Sequence, residues 1–153
     1  MNIIICGAGR VGFTIAKQLS EQGHSITVID PSSEDIQKID DALDVKAIVG
    51  KATYPTILEK ANAAETDMII AVTRNDEINM VICQIAFSIF NIPKKIARIR
   101  SQDYLNPKFT TVYNKENLPI DVIISPEIEI AKSIQRKLEV PGALDSVPFA
   151  DNK

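Results

Sequence analysis

Apolar residues fall along this chain in two alternating rhythms. Short, near-continuous runs rich in Ile and Val occupy positions 2–6, 25–29, 45–49, 67–72, 95–99 and 121–125. Each predicts a strand buried on both faces. Longer stretches separate them. Within residues 10–22, Val11, Ile15, Ala16 and Leu19 share one face at helical spacing, and residues 32–41 and 56–63 repeat that pattern in shorter form. Buried strands alternating with helices predict a parallel sheet covered on both sides. The punctuation agrees. Gly23 stands where the first helix needs a left-handed closing residue, Pro31 stops the second strand, and Ser32 or Ser33 caps the next helix.

Three segments depart from this beat. Residues 101–117 are polar, with Tyr104, Phe109 and Tyr113 spaced along them, and predict a loose helix or a loop plus helix. Residues 76–91 form a helix with apolar side chains around almost its whole circumference, among them Ile78, Val81, Ile82, Ile85, Phe87 and Ile89. A helix that only covers a sheet needs one apolar stripe. A homodimer interface on helix 76–91 is therefore expected; the alternative is a central core helix lying under residues 101–117. A last helix over 126–138 carries Ile130, Ala131, Ile134 and Leu138 on one stripe before Pro141-Gly142 breaks the pattern. One domain over 1–140 with a tail or linker at 141–153 is the expected organisation.

The strongest candidate for chemistry is Gly7-Ala8-Gly9-Arg10-Val11-Gly12, a GxGxxG pattern that directly follows the first strand and opens the first helix. Asp30 stands eighteen residues beyond Gly12, at the end of the second strand. This is the arrangement that dinucleotide binding requires. Gly7 permits the tight turn, Gly9 lets a pyrophosphate approach the backbone, and Gly12 lets helix and strand pack closely. The helix start offers N–H groups and a partial positive charge to phosphates. Asp30 accepts hydrogen bonds from ribose hydroxyls and repels a 2′-phosphate, favouring NAD or an adenosine nucleotide over NADP. Arg10 is placed to reach back to a phosphate. The competing reading is a glycine turn that merely packs a helix, with Asp30 a solvated strand end.

Composition narrows the picture without changing it. Hydrophobic residues make up 45% and charged residues 24%, as in ordinary globular domains. A net charge of −3 and a pI near 5.2 provide no general cationic field, so nucleic acid is not an expected partner. The longest apolar run, Met68-Ile69-Ile70-Ala71-Val72, is far short of the ~20 residues that span a bilayer, so no direct membrane insertion is expected. The N-terminus has no basic region before its apolar run, so no signal peptide is expected and the location is cytoplasmic. Cys6 and Cys83 have no CxxC spacing and read as reduced core thiols. His24, the one histidine, falls in a turn at the opposite end of the sheet from the glycine loop. No catalytic set and no metal cluster is found, so the expectation is a binding module and not an enzyme. The alternatives are a small NAD-dependent oxidoreductase, or the cofactor-binding half of one, and a structural protein that has lost its ligand.

Several motifs in order carry a resemblance. The glycine loop and Asp30 are followed by Gly50-Lys51-Ala52-Thr53, then Thr73-Arg74-Asn75-Asp76-Glu77-Ile78-Asn79, then Ile96-Ala97-Arg98-Ile99-Arg100. Over about residues 1–138 this series resembles the TrkA N-terminal domain, also called the KTN or RCK domain, of potassium-transport regulators. The resemblance implies an α/β, Rossmann-like doubly wound parallel sheet of six strands in the order 3-2-1-4-5-6. It also implies a regulatory domain that binds NAD(H) or ATP/ADP, works as a homodimer, and conveys ligand state to a membrane potassium transporter or channel subunit from the inner face. By position, Gly7, Gly9, Arg10, Val11 and Gly12 would face the pyrophosphate and Asp30 the adenosine ribose. Lys51 and Ala52 would lie against adenine, with Thr73, Arg74 and Arg100 on the open side of the cleft and Glu127 near its dimer-facing side. Lys51 replaces the Asp or Asn usual in the family. An ammonium only donates, so adenine is held by backbone groups, or Lys51 turns outward to a phosphate, or it is a plain surface lysine.

Overall fold

The computed structural model describes residues 1–124. Strands β1 (Asn2–Cys6), β2 (Ser25–Asp30), β3 (Lys46–Val49), β4 (Met68–Ala71), β5 (Lys94–Arg98) and β6 (Val122–Ile124) form one sheet. It runs in the order β3-β2-β1-β4-β5-β6, and every pairing is parallel. Between them lie α1 (Arg10–Glu21), α2 (Ser33–Ala42), α3 (Pro55–Lys60), α4 (Asp76–Ser88) and the short α5 (Gln102–Leu105). This is the Rossmann-like α/β order expected from the sequence. The expected helix over 126–138, the tail over 141–153 and Glu127 lie outside the described residues.

The near-continuous apolar strands have a direct cause. Alternate residues of β1 feed two separate cores: Ile3 and Ile5 join Ile15, Leu19 and Ile39 on one face of the sheet, while Ile4 and Cys6 join Leu58, Ile82 and Ala86 on the other. From Ile3 to Cys6 both faces of β1 are buried, so a polar residue at either register there would be buried. Helix ends follow local chemistry. Gly23 closes α1 at φ +88°, and the Ser32 hydroxyl accepts from Asp35 N–H at 3.1 Å to cap α2.

Some expectations are corrected. The helix expected over 56–63 ends at Lys60, because Asn62 turns left-handed at φ +62° and a 3-10 turn follows at Ala63–Glu65. The helix expected to reach residue 91 ends at Ser88, with Asn91 at φ +52° reversing the chain into buried Ile92. Residues 101–117 contain α5 and a second 3-10 turn at Thr110–Val112. They are tied down by hydroxyls: Tyr104 donates to a Glu77 carboxylate oxygen at 2.6 Å, and Tyr113 donates to the Tyr104 carbonyl at 2.9 Å. The bond to Glu77 raises the Tyr104 pKa, because ionisation would set two anions face to face. Among the described residues this segment leaves the outer side of α4 and the residue just past its end open: Ile78, Val81 and Ile89 are 41%, 44% and 55% exposed.

Lys95 was expected only as the start of a strand, yet its side chain is buried. Its Nζ lies 3.1 Å from an Asp121 carboxylate oxygen and donates to the carbonyls of Ile92 and Pro93 at 3.0 and 3.3 Å. No described helix is long and apolar enough to cross a membrane.

Candidate functional site

The strand order reverses between β1 and β4, which run side by side while their connections leave to opposite sides. Doubly wound folds open a crevice at such a point, beyond the carboxyl ends of the strands. The glycine loop lies here. Gly7 has φ +117°, donates to the Ile29 carbonyl at 2.9 Å, and lies so close to the next strand that a Cβ would come within 2.8 Å of the Val72 carbonyl oxygen. A Cβ on Gly12 would overlap the Gly7 carbonyl oxygen. At Gly9 a Cβ would meet nothing within 4 Å, so the loop is open on that side. No side chain caps α1, whereas α2 and α4 are capped by Ser32 and Asn75. The first N–H groups of α1 are thus left for an outside acceptor.

Asp30 does more than end a strand. One carboxylate oxygen accepts from Ala8 N–H at 2.8 Å and the other from Ser32 N–H at 2.8 Å. The acid therefore pins the glycine loop to the start of α2. Each oxygen keeps lone-pair capacity for a further donor.

Of the residues singled out in the sequence, Gly7, Gly9, Arg10, Val11 and Asp30 line one cavity of about 890 Å³. Lys51 and Ala52 from the loop after β3, and Thr73, Arg74 and Arg100 from the ends of β4 and β5, close its other sides. Gly12 does not line it; its place is behind the loop. The Lys51 ammonium lies over the Tyr54 ring, 5.5 Å from its centroid, at the cleft wall.

The sequence reading missed Arg98 and Asn79. Arg98 is only 3% exposed yet lines the cavity, and its Nη2 donates to the Thr73 carbonyl at 3.2 Å. Asn79 is fully buried on α4 and meets the same carbonyl. Both stand in motifs already noted, but a strand arginine and a helix asparagine carry no local sign of burial. Asp76 adds a third tie, accepting from Arg100 N–H at 3.1 Å and Ser101 N–H at 2.8 Å.

The other reactive groups lie apart from the cleft's lining. Burial raises the Cys6 thiol well above its ordinary value and lifts Cys83 to about 12, so neither is a ready nucleophile. The His24 Nδ1 lies 3.1 Å from the terminal amine, and burial together with that positive charge lowers its pKa. It precedes β2, at the amino end of the sheet.

Residues 3–126 match the family model described as the TrkA-N domain. Among relatives, the chain is 46% identical over 151 residues to a Trk system potassium uptake protein TrkA of Azorhizobium caulinodans, covering 99% of this chain and 33% of that one. It is 43% identical over 153 residues to the corresponding protein of Haemophilus influenzae, covering 100% and 33%. The chain thus spans about a third of the length of the curated relatives it matches. Among solved structures it is similar to the TrkA-N domain of inner membrane protein ybaL from Escherichia coli (TM-score 0.69, 21% identity, 90% of this chain and 96% of that one). It is also similar to the GsuK channel bound to NAD (TM-score 0.66, 17% identity, 80% and 21%). A third is the Kef CTD of Shewanella denitrificans in its AMP-bound form (TM-score 0.63, 19% identity, 95% and 86%).

Proposed function

The chain belongs to the TrkA-N domain family, and from that premise we propose that it is a regulatory domain of a potassium uptake system whose cleft binds NAD(H) or ATP/ADP. The observation that carries this reading is the pairing, in one cavity, of an uncapped helix start behind Gly7 and Gly9 with the Asp30 carboxylate. Phosphates would sit on the loop amides and Arg10, the adenosine ribose on Asp30, and adenine beside Lys51 and Ala52. Thr73, Arg74 and Arg100 would face the remainder of the ligand, and Glu127 the dimer-facing side. Solved structures of this fold described as bound to NAD, ADP and AMP support an adenine nucleotide as the ligand class.

Binding is regulatory in this account, not catalytic. The cavity lining holds no histidine or cysteine, and its carboxylates lie at the ribose end. Ile78 and Val81 on α4, with Ile89 just past its end, give the apolar surface for a homodimer, and α4 begins at the cleft wall. A ligand that favours one dimer geometry would pass that preference to a membrane transporter or channel subunit at the inner face of the membrane.

The test is a thermal-shift panel of NADH, NAD, ATP, ADP and AMP, with size-exclusion mass measured alongside. A ligand at a hundred times its Kd stabilises the folded state by about 2.7 kcal/mol. In a domain of this size that raises Tm by roughly 5–10 °C. A rise with at least one nucleotide, and a mass twice the 16.8 kDa of one chain, is the expected result. No rise with any of the five would overturn the reading.

A further inference from the structure

We propose that Asn79 is a positioning residue for the charged end of the cleft, and that it sets how strongly the chain distinguishes nucleotides by what lies beyond their first phosphate. This deepens the nucleotide reading above and rests on it. Asn79 uses both ends of its amide. Its Oδ1 accepts from Thr73 N–H at 2.9 Å and from the Thr73 hydroxyl at 2.7 Å. Its Nδ2 donates to the Thr73 carbonyl at 3.2 Å and to the Arg98 carbonyl at 2.7 Å. Four bonds are the full capacity of an amide side chain, and all four leave its own helix. They tie the ends of β4 and β5 to each other.

The consequence for charge follows from the shared acceptor. The Thr73 carbonyl takes Asn79 Nδ2 and Arg98 Nη2, both at 3.2 Å. Asn79 therefore fixes Arg98 twice: through its backbone carbonyl, and through the oxygen on which its guanidinium rests. Thr73 and Arg98 line the cavity, while Asn79 stands behind them. The charge of Arg98, a residue only 3% exposed, acts on a nearby anion with little screening by salt. Asp30 and Asp35 line the opposite end. The cleft is polarised, acidic where the ribose sits and cationic where later phosphates or a second nucleoside would reach. An uncharged, buried amide holds the cationic end in place.

Calorimetric titration of the whole chain with AMP, ADP, ATP and NADH at fixed salt tests this. In Asn79→Ala, ADP and ATP affinities are expected to fall tenfold or more while AMP changes less than threefold. Arg98→Gln should give the same pattern, and the double variant should lose no more than the worse single one, because both act through one arrangement. Asn79→Ser, whose hydroxyl keeps part of the bonding, should show a smaller loss with the same selectivity and serves if Asn79→Ala does not fold. Equal losses for AMP and ATP, no loss at all, or additive effects of the two substitutions would overturn the inference while leaving the nucleotide reading intact. A wild-type chain that bound none of the four probes would overturn the nucleotide reading, and this inference with it.

Discussion

Gly12→Ala is expected to destabilise the fold by about 3 kcal/mol, at the upper end of overpacking costs, and to abolish measurable nucleotide binding. The added Cβ would overlap the Gly7 carbonyl oxygen, and Gly7 has no room to retreat. Its N–H is bonded to Ile29, and its Cα faces the Val72 carbonyl so closely that even a Cβ would not fit. Helix α1 must then move off the loop, which spoils the packing of Ile15 and Leu19 and misaligns the first-turn amides together. Thermal unfolding should show a Tm lower by roughly 6–12 °C. Gly9→Ala separates the two effects. Its Cβ projects into open space, so stability should change by less than about 0.5 kcal/mol while nucleotide affinity falls, since that space is the proposed phosphate site.

Asp30→Ala carries the second large effect, a loss of nucleotide affinity of about 100-fold, or ~2.8 kcal/mol. Two contributions combine. In the proposed pose the ribose would lose its acceptor, and the glycine loop loses the carboxylate that holds Ala8 N–H at 2.8 Å. Hydrogen bonds to charged groups contribute about 1.5–3 kcal/mol each, so either alone accounts for a large part. Calorimetry with ATP and with its 2′,3′-dideoxy analogue divides them. If Asp30 also organises the loop, Asp30→Ala should bind the dideoxy compound more weakly than wild type does. Equal affinity of the two proteins for that compound would restrict Asp30 to the ribose.

The features legible in the sequence were those with a local, repeating cause. The two-sided burial of β1 shows as an unbroken Ile run, and the glycine spacing shows because each glycine answers a separate steric demand. Strand order came with the family resemblance and not from periodicity, which marks each strand without naming its neighbours. Features fixed by distant partners left no such trace. Lys95 is buried against Asp121, which arrives just before β6, far along the chain. Residues 101–117 take their shape from Tyr104 reaching Glu77 and from Tyr113 reaching the Tyr104 carbonyl, contacts without a periodic signature. At the site, Arg100 was singled out and Arg98 was not. Both are basic residues two positions apart, and only the packing of Thr73 and Asn79 reveals that Arg98 is the one built into the wall.

The most direct measurement is a two-dimensional amide NMR titration of the whole chain with ADP and with NADH. The largest shifts are expected at Gly7, Gly9, Arg10 and Val11, whose backbone would receive the phosphates, with a second group near Asp30. Shifts that leave these amides in place and gather at another surface would contradict it.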